Sequence, residues 1–208
     1  KLDSKARPHF PGEQNSITVL VSSPLVYFED GGENPMIDAL NFGLERDLLE
    51  ACIKESKRDI RLSFDTATID RLQIAATKRC GCLHFSGHGF PDKLVFENGR
   101  GAVYGLNKQS IKDYVHQEPF TLVFISACYS GYMGAAFVDA GVKHVVCCKY
   151  DEKINDDAAI KFTHHFYMAL AEGYTVENAF EKGKGAARKY CVEEANKFLL
   201  LPHDGNHD

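Results

Sequence analysis

Two short stretches place reactive side chains just beyond apolar runs. In Cys82-Leu-His-Phe-Ser86, continued by Gly87-His88-Gly89, a histidine stands between two glycines. In Leu122-Val-Phe-Ile-Ser126, continued by Ala127-Cys128-Tyr129, a cysteine follows its run at the same offset. A cysteine that only packs belongs inside a strand or on the apolar face of a helix, where Cys52, Cys147 and Cys148 fall. Cys128 instead precedes a Tyr-Ser-Gly turn and a helix, whose backbone N–H groups favour a thiolate and can bind an oxyanion. The glycines around His88 let the backbone turn sharply and leave the Gly89 amide open to a substrate. A thiol nucleophile needs a base within hydrogen-bond reach. Loops at the ends of neighbouring strands, about 4.8 Å apart, would meet that need. The chemistry on offer is a base-activated thiol. His84, inside its strand, reads as a core histidine, His164 and His165 lie in a helix, and His203 and His207 fall in the tail.

The elements that must position these residues alternate along the chain. Ile17–Val21, Ile60–Phe64, Cys82–Ser86, Leu122–Ser126, His144–Cys148 and Phe198–Leu201 are short apolar runs of strand length. Between them, Asn41–Lys57 has Phe42, Leu44, Leu48, Leu49, Cys52 and Ile53 at helical spacing. Thr68–Lys78, Asn107–His116 (with Asn107 as cap), Gly134–Ala140, Asp156–Glu172 and Val176–Cys191 read as further helices. Leu94–Phe96 and Ala102–Tyr104 flank an Asn-Gly and predict a hairpin, and Tyr27–Asn34 reads as a loop. This alternation specifies an α/β fold with a mostly parallel six-stranded sheet and helices on both faces. Ligands bind such sheets beyond the carboxyl ends of the strands, which singles out the His88 and Cys128 loops.

Composition removes other classes. The formal charge of −5 and pI near 6.0 argue against binding nucleic acid or an anionic membrane. No apolar run approaches the ~18 residues of a membrane span. Seven scattered cysteines are too sparse and uneven for a disulfide scaffold, and there is no signal peptide, so an intracellular, reducing, cytoplasmic setting is expected. Residues 1–208 read as one domain. The start at Lys1 without Met and the late final strand predict a segment of a larger regulated protein.

The motifs His84-Phe-Ser-Gly-His-Gly89 and Ile125-Ser-Ala-Cys-Tyr-Ser-Gly131 resemble the paired motifs of the caspase-like clan of cysteine peptidases, and of its CHAT domains above all. The resemblance continues through Gly141–Cys147, the acidic Asp156-Asp157, the Val176 helix and the final Leu-rich strand. It covers residues 80 to 201 well and the first 80 in architecture only. It implies a caspase-like three-layer sandwich. It also implies a cysteine endopeptidase, with His88 as general base, Cys128 as nucleophile and the amides of Gly89 and Cys128 as oxyanion hole. No cofactor or metal is implied, and the partners would be a protein or peptide substrate and a regulatory repeat or sensor module. In this clan the first specificity pocket usually carries a charge opposite to the residue that enters it. Asp151 and Asp156 are therefore candidates for an acidic pocket taking Arg or Lys. The competing reading is that Asp156 and Asp157 cap the next helix. Two other functions stay open: a catalytically silent caspase-like scaffold or interaction domain, and a non-peptidase thiol acyltransferase or hydrolase. Cys80-Gly-Cys82 lacks the second pair that a zinc site needs, and Gly183-Lys184 lacks the spacing of a phosphate loop.

Overall fold

The computed structural model describes residues 15–29, 32–35, 40, 42–115 and 120–208. In chain order the elements are β1 (Ser16–Val21), β2 (Val26–Glu29), β3 (Gly32–Pro35), α1 (Phe42–Ser56), β4 (Arg61–Thr66) and α2 (Ile69–Lys78). They continue with β5 (Cys82–Ser86), β6 (Gly89–Phe90), β7 (Lys93–Glu97), β8 (Val103–Asn107) and α3 (Lys108–Tyr114). The last third holds β9 (Leu122–Ser126), α4 (Gly131–Asp139), β10 (His144–Cys148), α5 (Asp156–Ala171), α6 (Val176–Tyr190), α7 (Val192–Ala195) and β11 (Phe198–Leu201). Six strands form one sheet in the order β11-β10-β9-β5-β1-β4, parallel except for β11.

The strands are apolar on both sides because helices cover both sides. Leu83, Phe85, Val123, Ile125, Val145 and Cys147 face Leu72 of α2, Ile111 of α3 and Phe137 of α4. Cys82, Leu122, Phe124 and Val146 face Leu49 of α1, Phe162 and Phe166 of α5, and Phe180 of α6. The second core is rich in aromatic side chains, with Phe162 stacked on Phe198 at 3.9 Å between ring centroids. Edge strand β4 alternates instead, with Arg61, Ser63 and Thr66 exposed.

Three local readings of the sequence are revised. Tyr27–Asn34 is not a plain loop: β2 and β3 pair antiparallel across it. Val26, Tyr27 and Phe28 have strand propensity, and the intervening Asp-Gly is a hairpin signal hidden in a polar stretch. Helix α4 starts at Gly131, ahead of the expected Gly134. Asn155, not Asp156 or Asp157, caps α5 by accepting from the Asp157 and Ala158 amides. The two aspartates occupy the first turn, where their charge complements the helix dipole. His207, in the tail after the last strand, is buried and lies 2.8 Å from His144 through their Nδ1 atoms.

The strand order places a reversal beside the loop that bears His88. From β1 the chain runs through α1 to β4 on one side, then returns through α2 to β5 on the other side of β1. The crevice between β1 and β5 is thus the switch point of the sheet, and α1 begins next to it.

Candidate active site

The site starts from the register of two strands. β5 and β9 pair from Cys82↔Leu122 to Ser86↔Ser126, so Gly87-His88 and Ala127-Cys128 leave the sheet at the same level. The Gly87 amide donates to the Ser126 carbonyl at 3.2 Å and ties the first loop to the second strand. Gly89 then passes so close to Cys128 that a Cβ there would collide with the Cys128 carbonyl oxygen. The Val95 amide donates to the His88 carbonyl at 3.0 Å. Gly89 therefore falls in the non-hydrogen-bonded pair with Leu94, its amide outside the β6–β7 ladder.

The cysteine turn is equally constrained. Tyr129 takes a left-handed conformation (φ 52°), which is uncommon for a residue with a side chain and accompanies functional turns. Its amide donates to the Glu152 carbonyl at 3.0 Å. Buried Ser130 donates to the Ala127 carbonyl at 2.8 Å and accepts from the Cys148 amide at 2.9 Å, locking the turn onto β10. The segment after β10 closes over the cysteine, with the Ile154 carbonyl 4.0 Å from Cys128 Sγ. Lys197 Nζ, ion-paired with Glu194, donates to the Lys153 carbonyl at 2.7 Å, and Glu194 accepts from the Asn155 amide at 2.9 Å.

All seven cysteines are free, and Cys52, Cys80, Cys82, Cys147 and Cys148 are buried. Desolvation pushes the Cys52 thiol up to about 11 and the Cys82 and Cys148 thiols up to about 12, with Cys147 higher still. These groups stay protonated and inert. Cys128 is partly buried and lines a cavity of about 1390 Å³ together with His88 and Gly89. Partly buried Cys191 stands at the junction of α6 and α7 and is not among the lining residues.

Beneath the loops lies a polar group that the spacing analysis did not single out. Glu45 of α1 is buried at 8% exposure and lines the same cavity, with Ser86 and Ser126. Ser86 Oγ donates to Glu45 Oε2 in a short hydrogen bond, and Ser126 also hydrogen-bonds the carboxyl. His84 Nε2 lies 3.2 Å from Glu45 Oε1, while its Nδ1 is 2.9 Å from the Tyr167 hydroxyl, itself 3.4 Å from Cys82 Sγ. Burial pushes the Glu45 carboxyl up, but the His84 imidazole and the hydrogen bonds outweigh it and hold the group below its ordinary value. The signal was present in the sequence. Glu45 follows Phe42 by three residues and precedes Leu49 by four, so it sits on the apolar stripe of α1. Leu44, expected inside, is 42% exposed.

Of the two acidic candidates, Asp156 lines the cavity from the first turn of α5. Asp151 is exposed on the preceding turn and is not among the lining residues. Among the described residues, no group of three or more His, Cys, Asp or Glu side chains could hold a metal ion.

A mostly parallel six-stranded sheet, clothed by helices on both faces, with a histidine loop and a cysteine loop on adjacent strand ends, is the caspase-like cysteine peptidase fold. Residues 40–196 match the family model described as CHAT domain, and the chain belongs to that family. The match reaches back through α1, beyond the residues whose motifs carried the resemblance. Among solved structures the chain is similar to the Arg-specific cysteine proteinase gingipain R (12% identity, TM-score 0.63, covering 89% of this chain and 45% of that one). A complex of gingipain pro- and mature domains from Porphyromonas gingivalis gives 12% identity and a TM-score of 0.59 over the same shares. Caspase-1 from Spodoptera frugiperda gives 11% identity and 0.51, covering 84% of this chain and 77% of that one. The chain thus spans less than half of the gingipain chains. No curated protein matches it.

Proposed function

We propose that this domain is a cysteine endopeptidase working through Cys128 and His88. The observation that carries the reading is the convergence of both loops, from register-paired strand ends, on one cavity that holds a partly buried cysteine. His88 takes the thiol proton and Cys128 Sγ attacks the scissile carbonyl carbon. The carbonyl electrons move to oxygen, which the amides of Gly89 and Cys128 receive. The tetrahedral intermediate collapses to a thioester as His88 gives its proton to the leaving amine. Water, deprotonated by His88, then attacks the thioester, and the thiol recovers its proton as the acid product leaves. No cofactor enters this sequence of steps.

The close approach of Gly89 to the Cys128 carbonyl supports the oxyanion assignment, since only a residue without a Cβ brings its amide there. The substrate is a protein or peptide. A sensor or repeat module in a longer parent protein controls access to the cavity, and the free thiols suit a reducing cytoplasm.

The test is cleavage-site profiling of a proteome-derived peptide library with the wild type, Cys128→Ala and His88→Ala, alongside labelling by an electrophilic peptide probe. Cleavage and labelling are expected in the wild type alone. Equal turnover in Cys128→Ala would overturn the reading.

A further inference from the structure

A buried carboxylate is unfavourable unless cations or hydrogen bonds meet it. Glu45 is such a group, buried in the cavity that Cys128 lines and bonded to Ser126, two residues before that cysteine. The protein meets its charge with hydrogen bonds from Ser86 and Ser126 and with the His84 imidazole, whose Nε2 lies 3.2 Å from Oε1. Among the described residues no lysine or arginine pairs with Glu45, and Lys153, exposed, lines the cavity elsewhere.

The cavity that holds this carboxylate also has apolar lining. Phe42 of α1, Phe124 of β9 and Ile160 of α5 line the cavity with it, while exposed Asp156 adds a second negative charge. A lining that combines apolar side chains with a carboxylate suits an aliphatic stem ending in a cation, which snorkelling side chains provide. We propose that Glu45 is a specificity-determining residue, whose carboxylate receives the charged end of an Arg or Lys preceding the cleaved bond. Ser86 and Ser126 orient the carboxylate by their hydrogen bonds. The inference rests on the peptidase reading of the same cavity and adds to it the class of residue the cavity takes.

The test uses four fluorogenic peptides that differ only before the cut: Arg, Lys, norleucine or Glu. For the wild type, kcat/KM for the Arg or Lys peptide should exceed that for norleucine by at least about 100-fold, because a site built to pair a charge rejects its neutral isostere strongly. In Glu45→Gln, which preserves side-chain shape, that ratio should fall toward one. Cys128-dependent cleavage of the norleucine peptide by the wild type, as fast as that of the Arg and Lys peptides, would overturn this inference and leave the peptidase reading standing. So would an unaltered ratio in Glu45→Gln. Absence of Cys128-dependent cleavage of any of the four, together with silence toward the peptide library, would overturn the peptidase reading and this inference with it.

Discussion

Ser86 and Ser126 are Cα partners on the last rung of the β5–β9 ladder, and both hydroxyls reach the carboxyl of Glu45. The loops bearing His88 and Cys128 leave the sheet from that rung. A slip of one residue in either strand would turn one serine to the opposite face and carry its loop with it. The buried glutamate therefore fixes a register as well as a charge.

Gly89→Ala should leave the fold intact and remove most of the activity. The new methyl collides with the Cys128 carbonyl, so either the glycine loop or the cysteine turn moves and the two amides proposed as oxyanion donors no longer converge. A loss of about 100- to 1000-fold in kcat is expected, the usual effect of losing one such donor. Steady-state kinetics with an unchanged circular dichroism spectrum would check it.

Ser130→Ala should destabilise the domain by about 1–3 kcal/mol, the cost of leaving a buried polar group unsatisfied. The Cys148 amide would lose its acceptor and the Ala127 carbonyl one donor. Urea denaturation should show a lower midpoint at a constant m-value.

Lys197→Met should loosen the segment between β10 and α5 while retaining the apolar stem of the side chain. The ammonium holds the Lys153 carbonyl and Glu194, and Glu194 in turn holds the Asn155 amide. Limited proteolysis should cut within 149–155 faster than in the wild type, and KM should rise because Lys153 and Ile154 line the cavity.

The His144–His207 pair predicts a stability that depends on pH. Burial, then His207 and Lys143, lower the proton affinity of His144 in the folded chain. An unfolded histidine titrates near about 6.5, so below that pH the unfolded chain takes up a proton that the folded chain resists. Stability should therefore fall as pH falls through this range and recover as it rises. The protection factor of the Glu177 amide, which donates to the His207 carbonyl, should be lower at about pH 5.5 than at about pH 7.5, once the intrinsic pH dependence of exchange is divided out. His207→Gln should flatten the dependence.

The strands and both reactive loops were legible in the sequence because doubly buried strands are continuous apolar runs and their ends are marked by glycine. Cys82–Ser86, Leu122–Ser126, His144–Cys148 and Phe198–Leu201 match the structure at both bounds. The β2–β3 hairpin escaped because its polar Glu29–Asn34 stretch shows no apolar pattern. Glu45 escaped for a different reason: helical periodicity searches for apolar residues, and a buried charge appears only as a gap in the stripe. His207 escaped because its partner, His144, lies far away in sequence, and no local pattern announces such a contact.

The placement of α1 at the sheet's switch point has a temporal consequence. The cavity draws Glu45 from α1, His88 from the end of β5, Cys128 from the end of β9 and Asp156 from α5. No contiguous stretch contains the site, and its parts meet only after long loops have closed, which is slow relative to helix formation. During refolding, helical signal should return well before Cys128 becomes selectively reactive. A nascent or partly unfolded chain would then carry His88 and Cys128 without the cavity that brings them together.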